Sequence, residues 1–148
     1  MSSNTSGGYA GDISASDTYQ DLGDKPSAIL IDVRTHAEWT FVGIPDIRSL
    51  NREPVLVEWQ QFQGQGSAPD FVASLTAELE RRGATQNDPL YFLCRSGARS
   101  RSAAMAMTQA GYTQCFNVAD GFEGPLDDHG HRGTVAGWKN SALPWAQS

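Results

Sequence analysis

Short apolar runs alternate with helix-forming segments along most of this chain, and that alternation limits its fold more than any other feature. Ala28–Val33 places two isoleucines, a leucine and a valine within six residues, just after Pro26. Such a run reads as a strand buried on both faces. Pro89–Cys94 (Pro-Leu-Tyr-Phe-Leu-Cys) and Gln114–Val118 read the same way, and Val55–Phe62 alternates as a further strand. Helical patterns lie between them. Ser14 with Asp17 starts a short helix over Asp17–Leu22, and Thr35 with Glu38 makes a capping box for Thr35–Phe41. Phe71, Val72, Leu75 and Leu79 sit at helical spacing within Pro69–Gly83, while the alanine- and methionine-rich Ser100–Ala110 stops at Gly111. Strands joined through helices are parallel, so the expectation is an α/β fold with a largely parallel sheet.

The 148 residues are enough for one domain, expected over residues 13–148, with the small polar stretch 1–12 read as a disordered tail. A chain of this length buries roughly two thirds of its unfolded surface and needs no disulfide or metal to hold a core. The longest aliphatic run, Ala28–Ile31, is far short of the ~20 residues that span a bilayer. The N-terminus lacks the basic and apolar stretches of a secretory signal, so no membrane partner and a cytoplasmic address are expected. Eleven basic against seventeen acidic residues leave a net charge of -6, which argues against nucleic acid as a partner. The distribution says more than the sum. Arg95, Arg99 and Arg101 crowd beside Cys94, the mark of a local anion site.

That segment carries the chemistry. A buried strand delivers Cys94 at its carboxyl end, a polar turn containing Gly97 follows, and a helix begins at about Ser100. Sites in open α/β sheets form at the carboxyl ends of strands. Turn amides, free N–H groups of the new helix, and the charges of Arg95 and Arg99 all favour a thiolate, the nucleophilic form of cysteine. A lone cysteine at a strand end is ordinarily a small buried hydrophobe. Arginines in a first helical turn, however, oppose the macrodipole by roughly 0.3–1 kcal/mol each, and an anion bound there would explain them. Cys115 has no basic neighbour in sequence and reads as an inert thiol, with a role as resolving thiol left open. The Cys94 to Cys115 spacing fits no zinc ribbon. The Asp127–Gly133 stretch sets His129 and His131 among aspartates but offers a poor ligand count, so neither metal nor cofactor is expected. Asp32, Arg34 and Glu38 read as a salt-bridged support for the neighbouring loop.

The ordered set Ile31-Asp32-Val33-Arg34-Thr35-His36-Ala37-Glu38-Trp39, Cys94-Arg95-Ser96-Gly97-Ala98-Arg99-Ser100, Gly111-Tyr112, Asn117-Val118 and Gly121-Phe122-Glu123-Gly124 resembles the rhodanese family of sulfurtransferases. The resemblance runs from about Ser14 to Trp145. It implies a central, mostly parallel five-stranded sheet flanked by helices. It also implies a catalytic Cys94 that opens a six-residue loop, Cys94 to Arg99, whose amides hold a persulfide. Arg95 and Arg99 would orient an oxyanion donor such as thiosulfate, and Ser96 and Ser100 would donate hydrogen bonds. The acceptor would be cyanide, a thiol or a protein cysteine. One departure follows Trp39, where Val42-Gly43-Ile44-Pro45-Asp46 replaces the family's usual Gly-His-Ile and Gly-Ala. Two other functions stay open. A cysteine-dependent phosphatase or arsenate reductase of this fold uses Cys-x5-Arg, but here Ser100 holds that arginine's place and Arg101 comes one residue late. A non-catalytic binding module would need neither Cys94 nor its arginines.

Overall fold

A computed structural model describes residues 8–59, 67–132 and 136–147. Its centre is a five-stranded sheet of β1 (Gly11–Ile13), β2 (Ile29–Asp32), β4 (Val55–Leu56), β5 (Leu90–Leu93) and β6 (Cys115–Val118), in the spatial order β1-β6-β5-β2-β4. Every pairing in this sheet is parallel. The helices are α1 (Ala15–Asp24), α2 (His36–Phe41), α3 (Ser67–Arg81) and α4 (Ala98–Gln109). A second, antiparallel pair joins β3 (Ile44–Pro45) to β7 (Trp145–Ala146). The α/β class and the five-stranded parallel sheet are as expected.

Side chains on β5 alternate between two cores, because successive residues of a strand point to opposite faces. Leu90, Phe92 and Cys94 pack with Phe71, Leu75 and Leu79 of α3 and Ala103, Ala104 and Met107 of α4. Tyr91 and Leu93 pack with Ala15 and Leu22 of α1, together with Ile47, Phe122 and Trp138. The chain leaves β2 toward β4 on one side and leaves β5 toward β6 on the other. The order in which the chain adds strands therefore reverses between β2 and β5. In an open parallel sheet a crevice forms at the carboxyl ends of the strands that flank such a reversal, and Cys94 directly follows β5.

Several elements differ from expectation for local reasons. Gly11 and Asp12 belong to β1 rather than to a tail. The Ala10 amide donates to the Cys115 carbonyl at 2.8 Å, and Tyr9 is buried against the α3/α4 core. Residues 1–7 of the expected tail lie outside the described residues. Helix α1 begins at Ala15 because Ser14 is its cap, with Oγ accepting from the Asp17 amide, and it runs past Gly23 to Asp24. The strand expected over Val55–Phe62 shortens to Val55–Leu56, after which Trp59 turns inward to meet Phe71 at 4.8 Å between ring centroids. Residues 60–62 of that strand fall outside the described set. Helix α4 starts at Ala98, two residues before Ser100, because Gly97 with φ 109° is its cap. The Thr35–Glu38 capping box forms as read from the sequence. No helix among the described residues is long and apolar enough to cross a membrane.

Candidate active site

The turn after β5 wraps around the Cys94 sulfur. The Gly97 amide donates to Sγ at 3.1 Å, and Ser100 Oγ lies 3.2 Å from it. Cys94 is 1% exposed, whereas Arg95 and Ala98 are exposed at the rim. Only glycine fits position 97. A Cβ there would lie 2.4 Å from the Ala119 carbonyl oxygen, on a backbone whose φ is already left-handed. The segment after β6 braces the loop from outside. Phe122 N–H donates to Cys94 O at 2.8 Å, and the amides of Glu123 and Gly124 donate to Arg95 O at 3.0 and 3.1 Å. Gly121 makes this approach possible, since a Cβ there would sit 2.3 Å from Arg95 O.

Of the expected set Asp32, Arg34 and Glu38, two pair with each other and the third pairs elsewhere. Asp32 and Arg34 form a fully buried pair, with Nη2 to Oδ2 at 2.7 Å and Nε to Oδ1 at 3.0 Å. Arg34 Nη2 also donates to Gly43 O at 2.7 Å, and the guanidinium lies 4.1 Å from the centroid of the Phe122 ring. Glu38 does not join this pair. Its two oxygens take Arg99 Nη1 at 2.7 Å and Nη2 at 2.9 Å, a fork-to-fork contact between α2 and α4. Burial works against the Glu38 charge, but Arg99 and the Thr35 amide outweigh it and hold the carboxyl down at about 2. Arg99 thus spends both terminal nitrogens on Glu38. Through this contact the fork ties the loop to α2. Ser96 is half-buried in the turn.

Behind Ser100 runs a polar chain that sequence reasoning missed. Ser100 Oγ donates to Asn117 Oδ1 at 2.6 Å, and Asn117 Nδ2 donates to Asp12 Oδ1 at 3.1 Å. Tyr9 donates its hydroxyl to that same Asp12 oxygen at 2.8 Å. The available signals were an asparagine inside an otherwise apolar strand and an aromatic residue within a supposed tail. The Asp127 loop is locally organised, with Asp127 Oδ1 accepting the amides of His129 at 2.8 Å and His131 at 2.9 Å. Among the described residues no group of three or more His, Cys, Asp or Glu could hold a metal ion. A cleft of about 310 Å³ lined by Ile44, Ile47, Pro54 and Leu56, among others, includes no residue of the Cys94 loop.

The family model for the STR4 middle domain matches residues 10–148. Rhodanese-like domain-containing protein 4 of Arabidopsis thaliana, a chloroplastic protein, is 29% identical over 90% of this chain and 25% of its own length. This chain belongs to the rhodanese-like family. An uncharacterized protein of Rickettsia conorii is 35% identical to the rhodanese-like chain over 133 residues, covering 90% of this chain and 94% of that one. Among solved structures, Rv0390 of M. tuberculosis is 48% identical and superposes with a TM-score of 0.79, covering 95% of this chain and 99% of that one. The polysulfide-sulfur transferase homodimer of Wolinella succinogenes shares the fold at 20% identity and a TM-score of 0.58, over 92% of this chain and 77% of that one. In this rhodanese-like domain, the loop sulfur receives an amide hydrogen bond at the carboxyl end of a parallel strand. That arrangement can stabilise a sulfur anion, whether thiolate or persulfide.

Proposed function

We propose that this chain is a sulfurtransferase that carries sulfane sulfur on Cys94. The observation that carries the reading is the Gly97 N–H aimed at Cys94 Sγ from a loop braced on both sides, by Glu38 through Arg99 and by the 121–124 segment. In the first half-reaction the Cys94 thiolate attacks the outer sulfur of a donor such as thiosulfate. A Cys94 Sγ–S bond forms, the donor S–S bond breaks, and sulfite leaves with the electron pair. In the second, a nucleophile such as cyanide, a thiol or a protein cysteine attacks the outer sulfur and releases the Cys94 thiolate. No separate base is required once the thiolate exists.

On this reading each residue of the loop and its supports takes a role. Arg95, exposed at the rim, attracts the anionic donor. Arg99 and Glu38 fix the loop, and the buried Asp32–Arg34 pair supports the end of β2 beside it. Ser96, Gly97 and Ala98 supply the turn, and Ser100 contacts the sulfur directly. No cofactor is invoked, and we place the reaction in the cytoplasm, where both free cysteines would stay reduced. A phosphatase reading has less support. Ser100 stands where a Cys-x5-Arg enzyme carries its arginine, and its hydroxyl is engaged by Asn117. Steady-state thiosulfate:cyanide kinetics test the proposal. Parallel double-reciprocal lines are expected for this ping-pong scheme, and intersecting lines would contradict a free persulfide intermediate.

A further inference from the structure

Ser100 Oγ stands 3.2 Å from Cys94 Sγ and 2.6 Å from Asn117 Oδ1, and a serine hydroxyl has one proton to give. Where that proton goes is decided further along the chain of contacts. Asp12 Oδ1 receives Asn117 Nδ2 at 3.1 Å and the Tyr9 hydroxyl at 2.8 Å. A carboxylate only accepts, so Asp12 turns the amide NH2 of Asn117 toward itself and leaves the amide oxygen facing Ser100. That oxygen cannot donate. Ser100 must donate to it, and the face it presents to the sulfur is a lone pair.

We infer that Asn117, oriented by Asp12, is a positioning residue that sets the polarity of the Ser100–Cys94 hydrogen bond. So oriented, Ser100 can accept a hydrogen bond from a Cys94 S–H. It can stabilise a thiolate only by withdrawing its proton from Asn117. The pair therefore opposes the hydrogen bond from Gly97 N–H, which favours the anion. The inference rests on the sulfurtransferase reading for its catalytic consequence alone, since the count of donors and acceptors is independent of the reaction.

Other charges surround the sulfur. Arg99 lies on α4 with Glu38 of α2 against it. Asp32 and Arg34 lie at the end of β2, and Arg95 lies in the loop. Asp12 and Tyr9 stand beyond Asn117, with the Arg101 guanidinium 5.9 Å from the Tyr9 ring centroid. Asn117 is neutral, so removing it alters hydrogen bonding and leaves every one of these charges in place.

The test is the pH dependence of Cys94 alkylation by iodoacetamide, read by mass on the Cys94 fragment. Asn117→Ala frees the Ser100 hydroxyl to donate to sulfur, and the midpoint should fall by about one pH unit, a tenfold gain in the thiolate-to-thiol ratio. Adding Ser100→Ala should erase that gain, so that the double variant matches Ser100→Ala alone. Asn117 is buried, and Asp12→Ala provides a second route from an exposed position if Asn117→Ala fails to fold. It releases the amide to turn and should lower the midpoint by a smaller amount. Asp12→Asn retains an acceptor oxygen, held in place by the Tyr9 hydroxyl, and should leave the midpoint near that of the unmodified protein. An unchanged or raised midpoint in folded Asn117→Ala would overturn the inference. So would a shift that survives Ser100→Ala, or an Asp12→Asn shift equal to that of Asp12→Ala, which would assign the effect to charge. Absent sulfur transfer alongside the expected shifts would remove the sulfurtransferase reading and leave this inference standing.

Discussion

Cys94 and Cys115 belong to the same hydrophobic cluster and are almost equally buried, at 1% and 0% exposure, yet their sulfurs meet opposite surroundings. Cys115 opens β6, where its thiol faces the Tyr112 carbonyl at 3.8 Å and burial pushes its pKa up to about 11. Cys94 follows β5, where the chain reverses and the Gly97 amide points back at the sulfur. Burial is common to both, so burial does not distinguish them. Which end of a parallel strand the residue occupies does, because the carboxyl end meets the amides that open the next helix. Register also separates them. Leu90 pairs with Cys115, so Cys94 lies four residues further along, roughly 13 Å at the rise of a strand. In this fold Cys115 cannot act as a resolving thiol for Cys94.

The largest expected effect tests that contrast directly. Cys94→Ser should lower thiosulfate:cyanide transfer by about a thousandfold or more, while Cys115→Ser should leave it within about twofold. Comparable loss in both folded variants would mean that the two thiols act together.

Gly97 and Gly111 sharpen the comparison, since both have φ 109° but have different neighbours. An alanine Cβ at position 97 would strike the Ala119 backbone oxygen at 2.4 Å, whereas at position 111 it would meet the side-chain end of Gln86 at 2.9 Å. Both substitutions should destabilise by roughly 1–2 kcal/mol through backbone strain, and Gly97→Ala by more, because the Ala119 backbone cannot give way as the Gln86 side chain can. Only Gly97→Ala should also slow sulfur transfer, by about a hundredfold, because it displaces the amide aimed at sulfur. Thermal melts paired with assays check this, and equal activity in the two variants would contradict the role given to the turn.

Arg99 gives a smaller effect of a distinct kind. With both terminal nitrogens on Glu38, Arg99→Lys should loosen the loop and slow sulfur loading and sulfur discharge alike, by about tenfold. Rapid mixing of each half-reaction would show this, and slowing confined to loading would restore donor recognition to Arg99.

The element pattern was legible in the sequence because buried parallel strands write continuous apolar runs and helices write a 3.6-residue period. Thr35 and Glu38 form the expected cap for the same local reason. The chain order around Cys94 also depends on neighbours in sequence and was readable there. The pairing of Glu38 with Arg99 was not, because it joins residues 61 apart whose meeting depends on where α2 and α4 cross the end of the sheet. Arg34, closer in sequence to Glu38, takes Asp32 instead. β1 escaped notice because three residues carry no period, and its evidence is the burial of Tyr9 and a register with β6 that only the assembled sheet supplies. β3 and β7 are two residues each, too short to show alternation.

A last effect falls on stability against acid and not on activity. Burial raises the Glu38 pKa, but Arg99 and the Thr35 amide pull it further down, from the ordinary 4.5 to about 2. A carboxyl lowered in the folded state contributes stability that is complete above its unfolded pKa. That stability is lost as the pH falls from 4.5 through about 2. The stability difference between the unmodified protein and Glu38→Gln should therefore shrink by roughly 2 kcal/mol over that window, allowing for partial solvent screening of the pair. Denaturant melts across the window measure it, and a difference independent of pH would show that the pair is not held as described.

In the proposed reaction Cys94 carries sulfur and Cys115 does not. Mass spectrometry of the protein incubated with thiosulfate, blocked with an alkylating reagent and digested under non-reducing conditions tests it most directly. One added sulfur atom is expected on the fragment containing Cys94, none on the fragment containing Cys115, and loss of the added sulfur on exposure to cyanide. An unmodified Cys94 fragment, or sulfur found on Cys115, would contradict it.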